Sequence, residues 1–194
     1  QWAKGVTGDL TEFTTMVDKR VGIVGLGRIG SRVAKRLAGW ECEVVYHDQI
    51  EYDAEYEREA GATRVPLDEL IATSDYVSLH VPLDRVTRHM YGADQFKAMK
   101  NTAVLINTCR GPVVDEAALT EALSAGEIWG AGLDVTEVEP MDPASPLIKM
   151  PNVVITPHQG ARVIQSQWNA DLNAVENAER IARGEAPDWV VDPV

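Results

Sequence analysis

The sequence predicts an α/β fold, a Rossmann-type doubly wound and mostly parallel sheet with helices on both faces. Three observations predict it. Short apolar runs alternate with helical patterns along the chain. Those runs are nearly continuous, as in strands covered on both faces. The first run is joined to the first helix by a glycine-rich turn of the pattern G-x-G-x-x-G.

The elements follow in order. "RVGIVG" (20–25) reads as a buried strand. Residues 28–40 read as a helix, because Ile29, Val33, Leu37 and Trp40 recur on one face. Strands follow at 42–48, 75–82, 102–108, 128–135 and 152–157, each a short run rich in β-branched or aromatic residues. Residues 66–74 form a short helix. Residues 115–126 form another, with Ala118, Leu119, Ala122 and Leu123 on one face and Gly126 as its stop. A long helix over 162–183 carries Ile164, Trp168, Leu172, Val175 and Ile181 along one side. The loop 138–147 is rich in Pro and Asp and long for such a fold.

The composition, 45% hydrophobic and 25% charged over 194 residues, suits one domain with a sizeable core. A net charge of −12 argues against general affinity for nucleic acid or an anionic membrane. The two cysteines, Cys42 and Cys109, show no metal spacing and no disulfide framework. Free thiols, no apolar run of membrane length and no signal-like start lead to the expectation of a cytoplasmic protein.

The glycine turn carries the first chemistry. Gly25 permits a tight turn, Gly27 lets the backbone approach a pyrophosphate, and Gly30 lets helix and strand pack closely. Arg28 and Ile29 lie between them. The helix N-terminus offers free N–H groups and a positive dipole end to phosphates. A structural glycine turn without ligand is the competing reading. Asp48 ends the second strand, about 20 residues further on, where a carboxylate accepts hydrogen bonds from ribose hydroxyls and repels a 2′-phosphate. That predicts NAD over NADP, unless Asp48 is an ordinary turn residue.

"LINTCRGPVVDEAAL" (105–119) ends a buried strand in an arginine. In a doubly wound sheet, ligands lie beyond the carboxyl ends of the strands. Arg110 would therefore reach the crevice, where a guanidinium grips a carboxylate by two parallel hydrogen bonds.

Four blocks in order, "VGIVGLGRIG", "VLINTCRGPVVDEAAL", "GAGLDVTEVEP" and "NVVITPHQGA", with a weaker fifth, "LHVPLDRVTRHM", resemble the D-isomer-specific 2-hydroxyacid dehydrogenases. The wording of the second block is most like hydroxypyruvate, glyoxylate and phosphoglycerate members. The resemblance implies an NAD-dependent oxidoreductase acting on a small 2-hydroxy or 2-oxo acid. It implies that Arg110 orients the substrate, His158 is the acid/base and Glu139 holds that imidazole. It implies that Asp134 holds the nicotinamide carboxamide, and that Val81, Pro82, Thr87, Thr108, Cys109 and Gly160 line the cofactor pocket. Taken singly, Arg110 could be an ion-pair residue, Glu139 a solvated loop charge and His158 a structural histidine. His47, His80 and His89 are given no chemistry, and Cys109 is read as a small pocket residue.

The resemblance also sets the organisation. Residues 1–19 are expected to be a linker or arm and 20–161 the NAD-binding domain. Residues 162–194 are expected to be a helix and tail that pack on a preceding substrate domain absent from this chain. A homodimer is expected. The competing function is an NAD(H)-sensing binding module, since the C-terminal binding protein corepressors resemble the same family.

Overall fold

The structure, a computed structural model, describes residues 15–188 and residue 190. Most of the expected linker and the end of the tail lie outside the described residues. Seven strands form one sheet: β1 Arg20–Val24, β2 Glu43–His47, β3 Thr63–Arg64, β4 Tyr76–Leu79, β5 Val104–Asn107, β6 Gly130–Leu133 and β7 Val153–Ile155. Their order is β3-β2-β1-β4-β5-β6-β7. Every pairing is parallel, so the sheet is wholly parallel among the described residues.

Six helices connect or follow the strands: α1 Gly30–Leu37, α2 Ala54–Ala60, α3 Leu67–Thr73, α4 Ala93–Ala98, α5 Glu116–Ala125 and α6 Ile164–Ala182. One buried cluster gathers Leu70 and Ile71 of α3, Phe96 of α4 and Leu119, Ala122 and Leu123 of α5 against the sheet. A second gathers Ala34 of α1 and Ala60 of α2 with Ile23, Val44 and Tyr46. Both faces are thus covered, which is why the strands read as continuous apolar runs.

The helix α1 corrects the sequence reading. Its buried residues are Gly30, Ser31 and Ala34. Val33 and Leu37 are only partly buried, while Ile29 and Trp40 are 65% and 56% exposed. The cause is close approach: a Cβ on Gly30 would overlap the Gly25 carbonyl oxygen, so the interface admits only small side chains. The last residues, Ala38–Trp40, tighten into a 3-10 turn.

Three elements were not read from the sequence: α2, β3 and α4. Helix α2, "AEYEREA", buries only Ala60 and so shows no apolar period. Its ends are nevertheless well marked. The Asp53 carboxylate accepts from the Tyr56 N–H at 2.8 Å, and Gly61 closes the helix at φ 67°. Helix α5 begins in the same way, with Asp115 accepting from the Ala118 N–H, and ends at Gly126 as expected.

The chain divides into two compact units at the Pro157–His158 boundary. The second holds α6, whose Ile164, Trp168, Leu172, Val175 and Ile181 are all at least 56% exposed. Its end is tied by Asn177, which pairs with the backbone of Asp188 in both directions.

Leu105, at the centre of β5, is fully buried. Leu105→Ala should lower the unfolding free energy by about 2–5 kcal/mol, because the surrounding parallel strands cannot collapse into the space. Urea unfolding measures this. A loss below ~1 kcal/mol would show that the centre of the sheet is not closely packed.

Candidate cofactor and active site

The strand order reverses direction beside β1. The chain leaves β1 toward β2 and β3, then crosses back to β4 on the other side. The loops after β1 and β4 therefore diverge and leave a crevice at the carboxyl edge. Two clefts open there. One, of about 440 Å³, runs from Gly25 and Gly27 to Asp48 and on to Val81, Pro82 and Thr87. The other, of about 720 Å³, is lined by Arg28, Ile29, Val81, Pro82, Thr108, Cys109 and Arg110.

The glycines have different local reasons. Gly25 has φ 92°, and a Cβ there would lie 2.7 Å from the His80 carbonyl oxygen, so both conformation and packing require glycine. Gly30 is required by packing. Gly27 is not: a Cβ there would meet no protein atom within 4 Å. A requirement for glycine at 27 would have to come from outside the chain, as close approach of a phosphate would supply.

Asp48 is held firmly. Its carboxylate accepts from the Leu26 N–H at 2.7 Å, the Ile50 N–H at 2.9 Å and, more distantly, the Tyr52 hydroxyl. Tyr56 of α2 donates its hydroxyl to the Leu26 carbonyl at 3.0 Å and stacks on Tyr52 with ring centroids 4.5 Å apart. The buried Leu26 peptide is thus gripped at both its N–H and its C=O. Asp48 is therefore a loop-holding residue as well as a ribose candidate. Tyr56 was missed because α2 was missed. Among the described residues, no lysine or arginine lines this cleft. Arg64 lies near, its guanidinium donating to Glu51 and to the Asp48 backbone carbonyl.

Beyond β4, Thr87 is buried and committed to its own loop. Its hydroxyl donates to the Pro82 carbonyl at 2.6 Å, and Asp84 accepts from the Val86 and Thr87 N–H groups. Thr87 thus shapes the cleft wall formed by Val81 and Pro82. His80 precedes that wall; burial pulls its imidazole from the usual 6.5 down to about 4.

At the tip of β5, Asn107 is fully buried. Its amide nitrogen donates to the Arg110 carbonyl at 3.0 Å, and its amide oxygen accepts from the Cys109 N–H at 3.1 Å. Its own carbonyl accepts from the Asp134 N–H at 2.9 Å. The Asn107 side chain thus sets the turn from which the exposed Arg110 projects, and its backbone carbonyl ties that turn to the end of β6. The sequence reading passed over Asn107; the available signal was an amide at the end of an apolar strand. Burial raises the Cys109 thiol above its ordinary pKa, which fits a pocket wall better than a nucleophile.

At the end of β6, Asp134 is buried and accepts from the Thr156 hydroxyl. Glu139 lies on the loop that follows and accepts from the Thr136 N–H at 3.2 Å. That loop is tied to its neighbours. His89 pairs with Glu137 at 2.7 Å, and Glu137 and Glu116 each accept the other's backbone N–H. A Cβ on Gly111 would overlap the Thr136 carbonyl oxygen, so the Arg110 turn and the Glu139 loop touch backbone to backbone. His158 and Gly160 belong to the second unit, where His158 is exposed and adopts a left-handed φ of 51°.

The two clefts thus lie side by side at the carboxyl edge of the parallel sheet, with Gly25, Gly27 and Asp48 lining one and Thr108, Cys109 and Arg110 the other, while Asp134 and Glu139 are not among the residues that line either. This is the architecture of a Rossmann-type dinucleotide-binding domain.

Comparison with known proteins gives the family. Residues 1–160 match the D-isomer specific 2-hydroxyacid dehydrogenase, NAD binding domain, and the chain belongs to that family. It is 45% identical over 174 residues to a glyoxylate reductase of Korarchaeum cryptofilum, covering 90% of this chain and 52% of that protein. It is 43% identical over 176 residues to glyoxylate/hydroxypyruvate reductase B of Cronobacter sakazakii, covering 90% of this chain and 54% of that one. The crystal structure of D-lactate dehydrogenase with NAD+ from Lactobacillus jensenii superposes with a TM-score of 0.87 at 34% identity, over 98% of this chain and 61% of that chain. The chain spans about half the length of the curated relatives it matches. NAD is the cofactor of this domain family.

Two outcomes test the site as built. Asn107→Ala leaves the Cys109 N–H without its acceptor and the Arg110 carbonyl with the Val113 N–H alone, so it should cost about 1–3 kcal/mol in chemical denaturation and speed amide exchange at Cys109. Unchanged exchange would show that the turn holds itself. For His80, the folded pKa lies below the unfolded one. Its contribution is complete above the unfolded value of 6.5 and is lost as pH falls from there toward about 4. Melting temperatures of wild type and His80→Gln across that window should converge as pH falls; parallel curves would contradict the assignment.

Proposed function

We propose that this chain is the cofactor half of an NAD-dependent oxidoreductase that moves a hydride between NAD(H) and a small 2-hydroxy or 2-oxo acid. The observation that carries the reading is the pair of clefts at the carboxyl edge, with Asp48 and the glycine loop in one and Arg110 in the other. The relatives reported above are named as reductases and a dehydrogenase, which weighs for turnover over sensing alone.

In this reading the backbone N–H groups at Gly27–Gly30, with Arg28 and Ile29 at the rim, take the pyrophosphate, while those of Gly25 and Leu26 hold the turn on His47 and Asp48. Asp48 takes the adenosine ribose, and its charge, with no lysine or arginine among the described residues that line the cleft, disfavours a 2′-phosphate. Val81, Pro82, Thr87, Thr108 and Cys109 line the cofactor pocket, with Asp134 and Gly160 at its nicotinamide end. Bound NAD supplies the hydride chemistry. Arg110 holds the substrate carboxylate and carbonyl through its fork of donors. His158 moves the proton to or from the substrate oxygen, and Glu139 orients that imidazole. No group of His, Cys, Asp and Glu suited to a metal occurs among the described residues, and the proposed reaction needs none.

The rest of the whole protein is part of the proposal. A second, substrate-binding domain would close the crevice and cover the exposed side of α6. The parent protein would be a homodimer working in the cytoplasm. Among the described residues no helix is long and apolar enough to cross a membrane.

Calorimetric titration of the chain with NADH and NADPH in parallel should show at least tenfold tighter binding of NADH. Asp48→Ala should narrow that preference. Equal binding of the two cofactors would remove Asp48 from its role. In the full-length protein, Arg110→Ala and His158→Ala should each lower kcat/KM with hydroxypyruvate or glyoxylate by about a hundredfold or more. Unchanged turnover would sink the catalytic assignments.

A further inference from the structure

The sequence alone gives His80 no chemistry, yet it stands at the one place where the two clefts meet. Among the described residues, only His80, Val81 and Pro82 line both. Of these three, His80 alone has a polar side chain. We propose that His80 is a cofactor-binding residue, whose Nδ1 hydrogen-bonds the dinucleotide where it crosses from the adenosine cleft to the nicotinamide cleft. This rests on the NAD-binding reading above.

The ring is fixed in place. Its Nε2 lies 2.9 Å from the Oγ of Ser78, a buried residue two positions back on β4. Among the described residues, Ser78 is the ring's one hydrogen-bond partner, which leaves Nδ1 for a ligand. The backbone of His80 is locked to the phosphate loop. Its N–H donates to the Val24 carbonyl at 2.8 Å, and its carbonyl oxygen blocks any side chain at Gly25. The imidazole therefore keeps its position relative to the glycines that receive the pyrophosphate. Burial holds it neutral at physiological pH. A neutral imidazole offers one donor and one acceptor. Ser78 uses one and the cofactor the other, so the ring contributes direction and adds no fixed charge.

The test is calorimetric, with NADH and AMP titrated separately into wild type, His80→Phe and Ser78→Ala. AMP fills only the adenosine side. His80→Phe should weaken NADH by about three- to tenfold, the size of one neutral hydrogen bond, while AMP affinity stays the same. Ser78→Ala frees the ring and should give a smaller loss with the same split between the ligands. It carries the test if the Phe variant does not fold. Undiminished NADH affinity, or equal losses for NADH and AMP, would overturn the proposal. A wild-type chain that bound AMP but not NADH would overturn it too. A wild type that bound neither would overturn the cofactor reading itself, and the His80 proposal with it.

Discussion

Parallel strand pairing is the constraint on which the rest depends. Because all seven strands run one way, every residue that follows a strand emerges at the same edge. Because the order reverses beside β1, the loops at that edge part instead of closing over one another. The glycine turn after β1, Asp48 after β2, His80 to Pro82 after β4, Arg110 after β5 and Asp134 after β6 are distant in sequence and share one edge of the sheet for this single reason. An antiparallel pair anywhere in the middle of the sheet would send one of them to the opposite end.

Placement at the edge is not yet precision, and the loops are held by a few buried polar groups. Asp48 and Tyr56 grip the two sides of the Leu26 peptide. Asn107 braces the Arg110 turn and anchors it to β6. His89, Glu137 and Glu116 link the loops after β4, β5 and β6. Each is a short hydrogen-bonded knot, and the Asn107 amide is fully buried, where a satisfied polar group specifies one geometry and an unsatisfied one is costly. At Gly111 the backbone of the Arg110 turn lies directly against that of Thr136, ahead of the Glu139 loop.

Much of this was legible in the residues. Buried parallel strands announce themselves as unbroken apolar runs, and the glycine spacing together with Asp48 points to a dinucleotide. What escaped did so for physical reasons. Helix α2 is short and mostly charged, so its evidence lies in the Asp53 and Gly61 caps rather than in a period. Without α2 there is no Tyr56. The face of α1 was misread because apolar spacing at Ile29 and Trp40 outweighed the small residues that a close helix–strand contact demands. Asn107 looks like an ordinary strand end until its burial and both amide partners are known. His80 looks inert until two clefts are found on either side of it.

The most direct test of the central claim is a map of backbone amide chemical shifts in the chain as NADH is added. The account predicts shifts at Gly25 to Gly30, at Asp48, at His80 and Val81 and at Thr108 to Arg110, all at the carboxyl edge, with little change in the middle of α4 or α5. Shifts centred on those helices, or confined to one cleft with the other untouched, would contradict a dinucleotide lying across the divide between β1 and β4.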